Sequence, residues 1–209
     1  MDSPVITYVP PKESIIIDDK EVYRYLGYSI QQAGEADAKL VKEVIPLVED
    51  VMEPKACYSR YSVEVKGDGR IVLPYGEIVS HDLTRNLHDC SEIYFFAATI
   101  GTGFDRLLRR VRIESMGKAA ILQAAGAAAV ESLCDLLNHE LAVMVEAEGH
   151  KTRPRYSPGY GDYPLENQKG IFSLLQPSRY IGLSLMDTLI MAPEKSVTAV
   201  IGIEHAGDR

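Results

Sequence analysis

Cysteine is scarce in this 209-residue chain: Cys57, Cys90 and Cys134 are widely spaced and form no Cys-x-x-Cys pair. That argues against a disulfide framework and against a zinc knuckle, and for a reducing compartment. The five histidines, His81, His88, His139, His150 and His205, show no metal-ligand spacing, and no His-Glu-x-x-His occurs. There is no Gly-x-Ser-x-Gly elbow and no Walker loop, so hydrolase and phosphotransferase chemistry have no residues to stand on. A basic stripe is missing too. The densest basic patch, 106–112, reads as the wet face of a helix, and a formal charge of −8 does not suit a nucleic-acid partner. The longest nearly uncharged run, 119–130, is interrupted by Gln123 and stops at Glu131, too short to span a bilayer. The amino terminus has no basic segment followed by an apolar run, so no secretory signal is expected. The expectation is a cytoplasmic protein with no membrane partner.

What the chain does have is core material, 46% hydrophobic residues, enough for one domain. A short extended piece over 5–9 and an apolar run over 15–17 precede Asp18 and Asp19, which offer an N-cap to a helix carrying Val22, Leu26 and Ile30. A second helix over 36–52 puts Leu40, Val44, Leu47 and Val51 on one face, with Pro46 expected to kink it. Strands over 58–65 and 70–73 flank Gly67-Asp68-Gly69 as a hairpin. Ser80 can cap a helix over 81–87, and 92–100 reads as an interior strand. Gly101-Thr102-Gly103 then makes a tight turn into a helix. It is no dinucleotide fingerprint, because Arg106 stands where the third glycine would be.

Residues 104–148 read as helix in two pieces meeting near Gly117. The second carries an apolar stripe of Leu122, Ala125, Ala129, Leu133, Leu137, Leu141 and Met144. This second piece is the core helix, about 45 Å long at 1.5 Å per residue. Residues 124–129 carry almost no side chain, so another backbone or a flat ligand must come close, helix packing being the ordinary case. Glu131, Asp135 and Asn138 form a second stripe on one face, ordinarily a solvated one. A short helix over 165–175 turns Ile171, Leu174 and Leu175 inward, and strands over 181–191 and 196–203 close the chain as a hairpin around 192–195. This order of elements predicts an α+β fold, a single domain over 1–209 with a mainly antiparallel twisted sheet packed against long helices. Residues 1–100 hold the first helices and hairpin; 101–209 hold the long helices, a shaped loop and the last hairpin.

That loop, RYSPGYGDYPLENQ over 155–168, fits neither helix nor strand period. Pro158 presets the first corner of a turn and Gly159 supplies the positive φ that a type II turn needs next. Gly161 lets chain or ligand come close. Pro164 suits the first turn of a helix, with Glu166 near its positive end.

The loop resembles the Arg-x-x-Pro-Gly-Tyr signature of the activation domain of cobalamin-dependent methionine synthase, and more closely the short stand-alone proteins built on that domain. Arg155, Pro158, Gly159, Tyr160 and Pro164 match it, and Tyr156 and Ser157 fill its variable places. The likeness extends to the glycine turn at 101–103, to 130–135, where Glu131 matches a carboxylate near the family's ligand, and to the Met-x-Pro turn at 191–193. An aspartate that the family carries in an Asp-Trp-Thr-Pro-Phe segment, and a tyrosine of its final strand, have no counterpart here.

The resemblance implies that S-adenosylmethionine is held by Arg155, Tyr156, Ser157, Gly159, Tyr160 and Glu131. Arg155 would pair in bidentate fashion with its carboxylate, and Tyr156 and Ser157 would act through backbone groups. A tyrosine face would meet the sulfonium with about 0.5–2 kcal/mol of cation–π attraction, and Glu131 would accept from the amine or ribose. Gly159 and Gly161 would leave the methyl group accessible. It further implies a reactivation partner that presents this methyl to the reduced cobalt of cobalamin held by a separate corrinoid-binding methionine synthase protein. The electron would come from a donor such as a flavodoxin or ferredoxin. The alternatives are a scaffold that caps a corrinoid protein without binding S-adenosylmethionine, and an unrelated small-molecule enzyme on the same fold.

Overall fold

Strand β6 (Cys90–Thr99) is buried along nearly its whole length, and the chain is built on its two faces. In the computed structural model, which describes residues 4–27 and 34–205, five antiparallel strands run in the order β1 (Ile6–Tyr8), β2 (Lys55–Ser62), β6, β10 (Ser196–Glu204), β7 (Lys151–Thr152). The two-residue period of a strand sends Tyr94, Phe96 and Ala98 to one side and Ile93, Phe95 and Ala97 to the other. Both sets are buried, each in its own apolar cluster, which is why β6 reads as an unbroken hydrophobic run.

The first face is covered by helices α1 (Asp19–Tyr25), α2 (Glu35–Val51), α4 (Thr102–Glu114) and α5 (Met116–Ala147). Asp18 caps α1, its carboxylate accepting from Lys20 N at 2.9 Å; the expected Ile30 lies outside the described residues. The buried stripe of α2 is Val41, Val44, Val48 and Met52, so the predicted set shares only Val44 with it. Leu40, Leu47 and Val51 are half-buried flanks of a stripe centred one residue later. Pro46 is exposed inside the helix, on the side where the unpaired carbonyl can face water.

The break between α4 and α5 falls at Ser115 rather than Gly117, because Ser115 is extended (φ −160°) and its Oγ caps Lys118 N at 3.2 Å. On α5 the predicted stripe is buried from Leu122 to Leu141, but Val145 and not Met144 ends it. The small residues at 124–129 do admit a close neighbour: a Cβ on Gly126 would strike the Phe104 ring of α4. By length and composition α5 could cross a membrane, yet 61% of its apolar window is buried inside the protein, as in a core helix.

The second face carries a small sheet of β3 (Glu64–Val65), β4 (Arg70–Leu73) and β5 (Gly76–Val79), then α3 (His81–Asn86), a 3-10 turn (Leu165–Asn167) and α6 (Gln168–Leu175), with α7 (Pro177–Tyr180) after it. The hairpin around Gly67-Asp68-Gly69 forms, with Val65 opposite Ile71. The expected strand over 58–65 serves two sheets, however. It divides at Val63, whose N–H donates to Ser91 O at 2.9 Å. The predicted C-terminal hairpin is not present. Residues 181–191 hold a turn in which Met186 N donates to Ile190 O, with Leu189 at φ 64°, and only β8 (Ser184–Leu185) and β9 (Met191–Ala192) pair there. β10 instead takes β6 and β7 as neighbours, and its buried run from Thr198 to Ile203 is covered on its two faces by the two apolar clusters.

Candidate functional site

The loop after β7 is fastened along the edge of β10. Arg153 N donates to Gly202 O at 2.8 Å, and Tyr156 and Val200 exchange both backbone bonds at 2.9 Å. The turn then forms as read from the sequence: Tyr160 N donates to Ser157 O at 3.2 Å, and Gly159 takes φ 94°. Gly159 N closes back on Tyr163 O at 2.8 Å. Gly161 has φ 51°, and a Cβ there would run into the Asp82 carboxylate and the Tyr156 hydroxyl. Its small size therefore serves packing by the chain itself rather than ligand access.

Two neighbours hold the far side of the loop. Asp162 accepts from Ser80 Oγ (2.5 Å), His81 N (2.7 Å) and Asp82 N (3.1 Å), at the start of α3. Its pKa lies below the ordinary 3.8, first because of the Ser80 bond. Tyr163 is 1% exposed and shares a 2.7 Å hydroxyl contact with Tyr75; burial pushes its pKa up to about 12. Pro164 precedes the 3-10 turn instead of sitting in α6, which begins at Gln168.

Between this loop, α5 and β10 lies a hollow of about 450 Å³, a size typical of small-molecule sites. Glu131, Arg155, Tyr156, Ser157 and Tyr160 all line it; Gly159 shapes the turn but is not in the wall. Tyr160 is 67% exposed. The guanidinium of Arg155 is already engaged: Nη2 donates to Glu131 Oε2 at 2.5 Å and Nη1 to Asp135 Oδ1 at 2.6 Å. The Asn138 amide, oriented with its oxygen toward Nη1 (2.5 Å), completes the clamp. Burial would lower the Arg155 pKa, but the bonds to Asp135 and Glu131 outweigh it and raise it.

The stripe expected to be solvated on α5 is thus the partner of the signature arginine. Arg155 and Glu131, each named as a contact for a ligand, are here bonded to each other. One cation with two carboxylates also leaves the cluster one charge negative. Glu131 and Arg155 belong as well to the wall of a second hollow of about 580 Å³, where Asp135 is found and from which the first hollow's Tyr156 and Ser157 are absent.

Sequence reasoning missed Gln168, Met191, Ser196, Val197 and Thr198, which together with Pro158 of the turn complete the wall of the smaller hollow. Ser196 and Thr198 could have been found: they are polar residues at i and i+2 on the strand face that also carries the buried Val200. Gln168 is one turn before Ile171 on the inward side of α6 and was equally visible as a polar residue in an apolar pattern. Among the described residues no group of three or more His, Cys, Asp or Glu side chains is placed to hold a metal ion.

A helical layer and a second small layer around a curled antiparallel sheet, with a loop-roofed hollow at the β10 edge, define a single-domain α+β fold. Among solved structures, one described as the MetH reactivation domain bound to AdoHcy has a TM-score of 0.71 and 15% identity to this chain. The match covers 99% of this chain and 80% of that one, and shows the same fold. Scanned against protein-family profiles and against curated proteins, the sequence gives no match.

Proposed function

We propose that this protein binds S-adenosylmethionine in the hollow under the 155–168 loop and presents its methyl group to a corrinoid-binding partner, reactivating a cobalamin-dependent methionine synthase. The observation that carries the reading is convergence: five of the six residues named from the resemblance, drawn from α5 and from a loop 24 residues further along, line one hollow of about 450 Å³. A neighbour of the same fold was solved with AdoHcy, which supports the choice of ligand.

The residues fit such a ligand. Bound S-adenosylmethionine supplies an electrophilic methyl on a sulfonium, and the partner's reduced corrinoid supplies the nucleophile. This chain has only to bind and orient. The ligand's carboxylate takes the place of Asp135 on Arg155 Nη1; Asp135 has a 69% exposed side chain and is readily given back to water. Tyr160, exposed on the turn, offers its ring face to the sulfonium at the mouth of the hollow. The electron donor, a flavodoxin or ferredoxin, and the corrinoid protein are separate partners in this scheme.

One observation favours the second reading, a corrinoid-protein scaffold that binds no S-adenosylmethionine: the Arg155 guanidinium is satisfied internally. Calorimetry with S-adenosylmethionine on wild type and Arg155→Ala separates the two. Heat with wild type and a loss of about tenfold or more in affinity with Arg155→Ala supports the first; no heat with either, while both hold a corrinoid protein, establishes the second.

A further inference from the structure

Two residues in the wall of the smaller hollow are almost wholly buried, Gln168 at 5% and Thr198 at 2% exposure. Each carries an oxygen, Gln168 Oε1 and Thr198 Oγ1, that has no hydrogen-bond partner among the described residues. Buried polar atoms in folded proteins are nearly always paired, so two orphans in one wall call for a common partner. Neither position needs a polar residue for the fold. Gln168 sits one turn from Ile171 on the inward face of α6, and Thr198 shares its strand face with Val200, so leucine and valine would pack there without the penalty of an unmet oxygen.

The chemistry of the pair defines what would meet them. An amide oxygen accepts, and a hydroxyl both donates and accepts. Neither is charged, and the ionic groups of the hollow, Glu131 and Arg155, are bonded to each other. The two orphans therefore suit an uncharged, flat polar edge that offers an N–H donor beside an acceptor. Adenine presents that combination in its exocyclic amine and ring nitrogens, and glutamine is a common reader of it.

We infer that Gln168 and Thr198 are specificity-determining residues that read the adenine edge of an adenosyl ligand. This rests on the reading of the hollow as an S-adenosylmethionine site and adds to it what the charged cluster cannot supply, selection among nucleosides. Gln168 Oε1 accepts from the 6-amino group and Thr198 Oγ1 donates to a ring nitrogen. A 6-oxo base sets an acceptor against the amide oxygen and is rejected.

The test is calorimetry with S-adenosylhomocysteine and S-inosylhomocysteine on wild type, Gln168→Leu and Thr198→Val, with melting curves confirming that each variant folds. Wild type is expected to prefer the adenosyl compound by about tenfold or more. Gln168→Leu should weaken adenosyl binding by about tenfold and bring the two compounds within about twofold of each other; Thr198→Val should weaken both by roughly fivefold. Gln168→Met, close in shape, serves if the leucine variant does not fold. A wild type that binds both compounds equally, or variants that keep the wild-type preference, would overturn the assignment while leaving the site itself intact. If neither compound binds wild type, the assignment and the proposed function fall together.

Discussion

Removing Asp135 should tighten S-adenosylmethionine binding, because in the free protein that carboxylate holds the arginine the ligand needs. The Asp135 Oδ1 to Arg155 Nη1 bond is short at 2.6 Å, but 69% of the Asp135 side chain is exposed to water. Solvent screening limits such a pair to about 1 kcal/mol at most. A ligand carboxylate that displaces it forgoes that amount, so Asp135→Ala is expected to bind up to about fivefold more tightly, and by less at high salt. Glu131 differs. Its side chain is 36% exposed and its 2.5 Å bond fixes the other arm of the guanidinium, so Glu131→Ala should weaken binding. Asp135 is not in the wall of the smaller hollow, and no direct loss of contact confounds the measurement. Titration calorimetry at two salt concentrations reads the effect, with 5′-methylthioadenosine, which has no carboxylate, as the control. Weaker binding by Asp135→Ala, or an equal gain for the control, refutes the exchange.

The loop itself yields two further tests. Gly161→Ala meets both a left-handed backbone and the Asp82 and Tyr156 side chains; the backbone alone costs on the order of 1–2 kcal/mol, a fall of roughly 2–8 °C in melting temperature. An unchanged melting temperature would show that the neighbours yield freely. Asp162→Asn loses a carboxylate whose pKa is depressed below 3.8, chiefly by Ser80. A depressed acid contributes its stability in full above its ordinary value and loses it as pH falls through the lower folded value. The variant should therefore melt below wild type near neutral pH, with the gap closing only below pH 3.8. A gap that is already closed at neutral pH removes Asp162 from the anchoring of the loop.

Local chemistry was legible in the sequence wherever a residue acts through its own backbone. Asp18, Ser80 and the Pro158-Gly159 turn behave as read, because caps and turns depend on a few neighbouring atoms. The interior strand at β6 was legible from its apolar run. The failures lie where a distant partner decides. The 181–191 segment has strand-like composition, but the distant β6 pairs with β10 along the whole of Ser196–Glu204 and takes the place the hairpin partner would have had. The division of 58–65 at Val63 follows from Ser91, 28 positions away and invisible to local pattern. The site was half legible for the same reason. The signature named one wall, but nothing in the spacing of Glu131, Asp135 and Asn138 reveals that their common neighbour is Arg155. Gln168 and Thr198 declare themselves only when their lack of partners is seen.

The two walls of the hollow are stiff for different reasons, and this bears on how a ligand is held. α5 is fixed along its length by buried residues from Ala119 to Val145. The loop is fixed by paired backbone bonds at Tyr156, by its own turn, and by the Asp162 and Tyr163 anchors. Little backbone ordering is then left for binding to impose, and preorganisation of this kind favours affinity. The adjustable part is the head of Arg155, shared between two carboxylates of unequal exposure. A ligand that brings its own carboxylate needs to move only the more exposed of them. The ion pair with Glu131 stays in place through that exchange and keeps the guanidinium directed at the hollow.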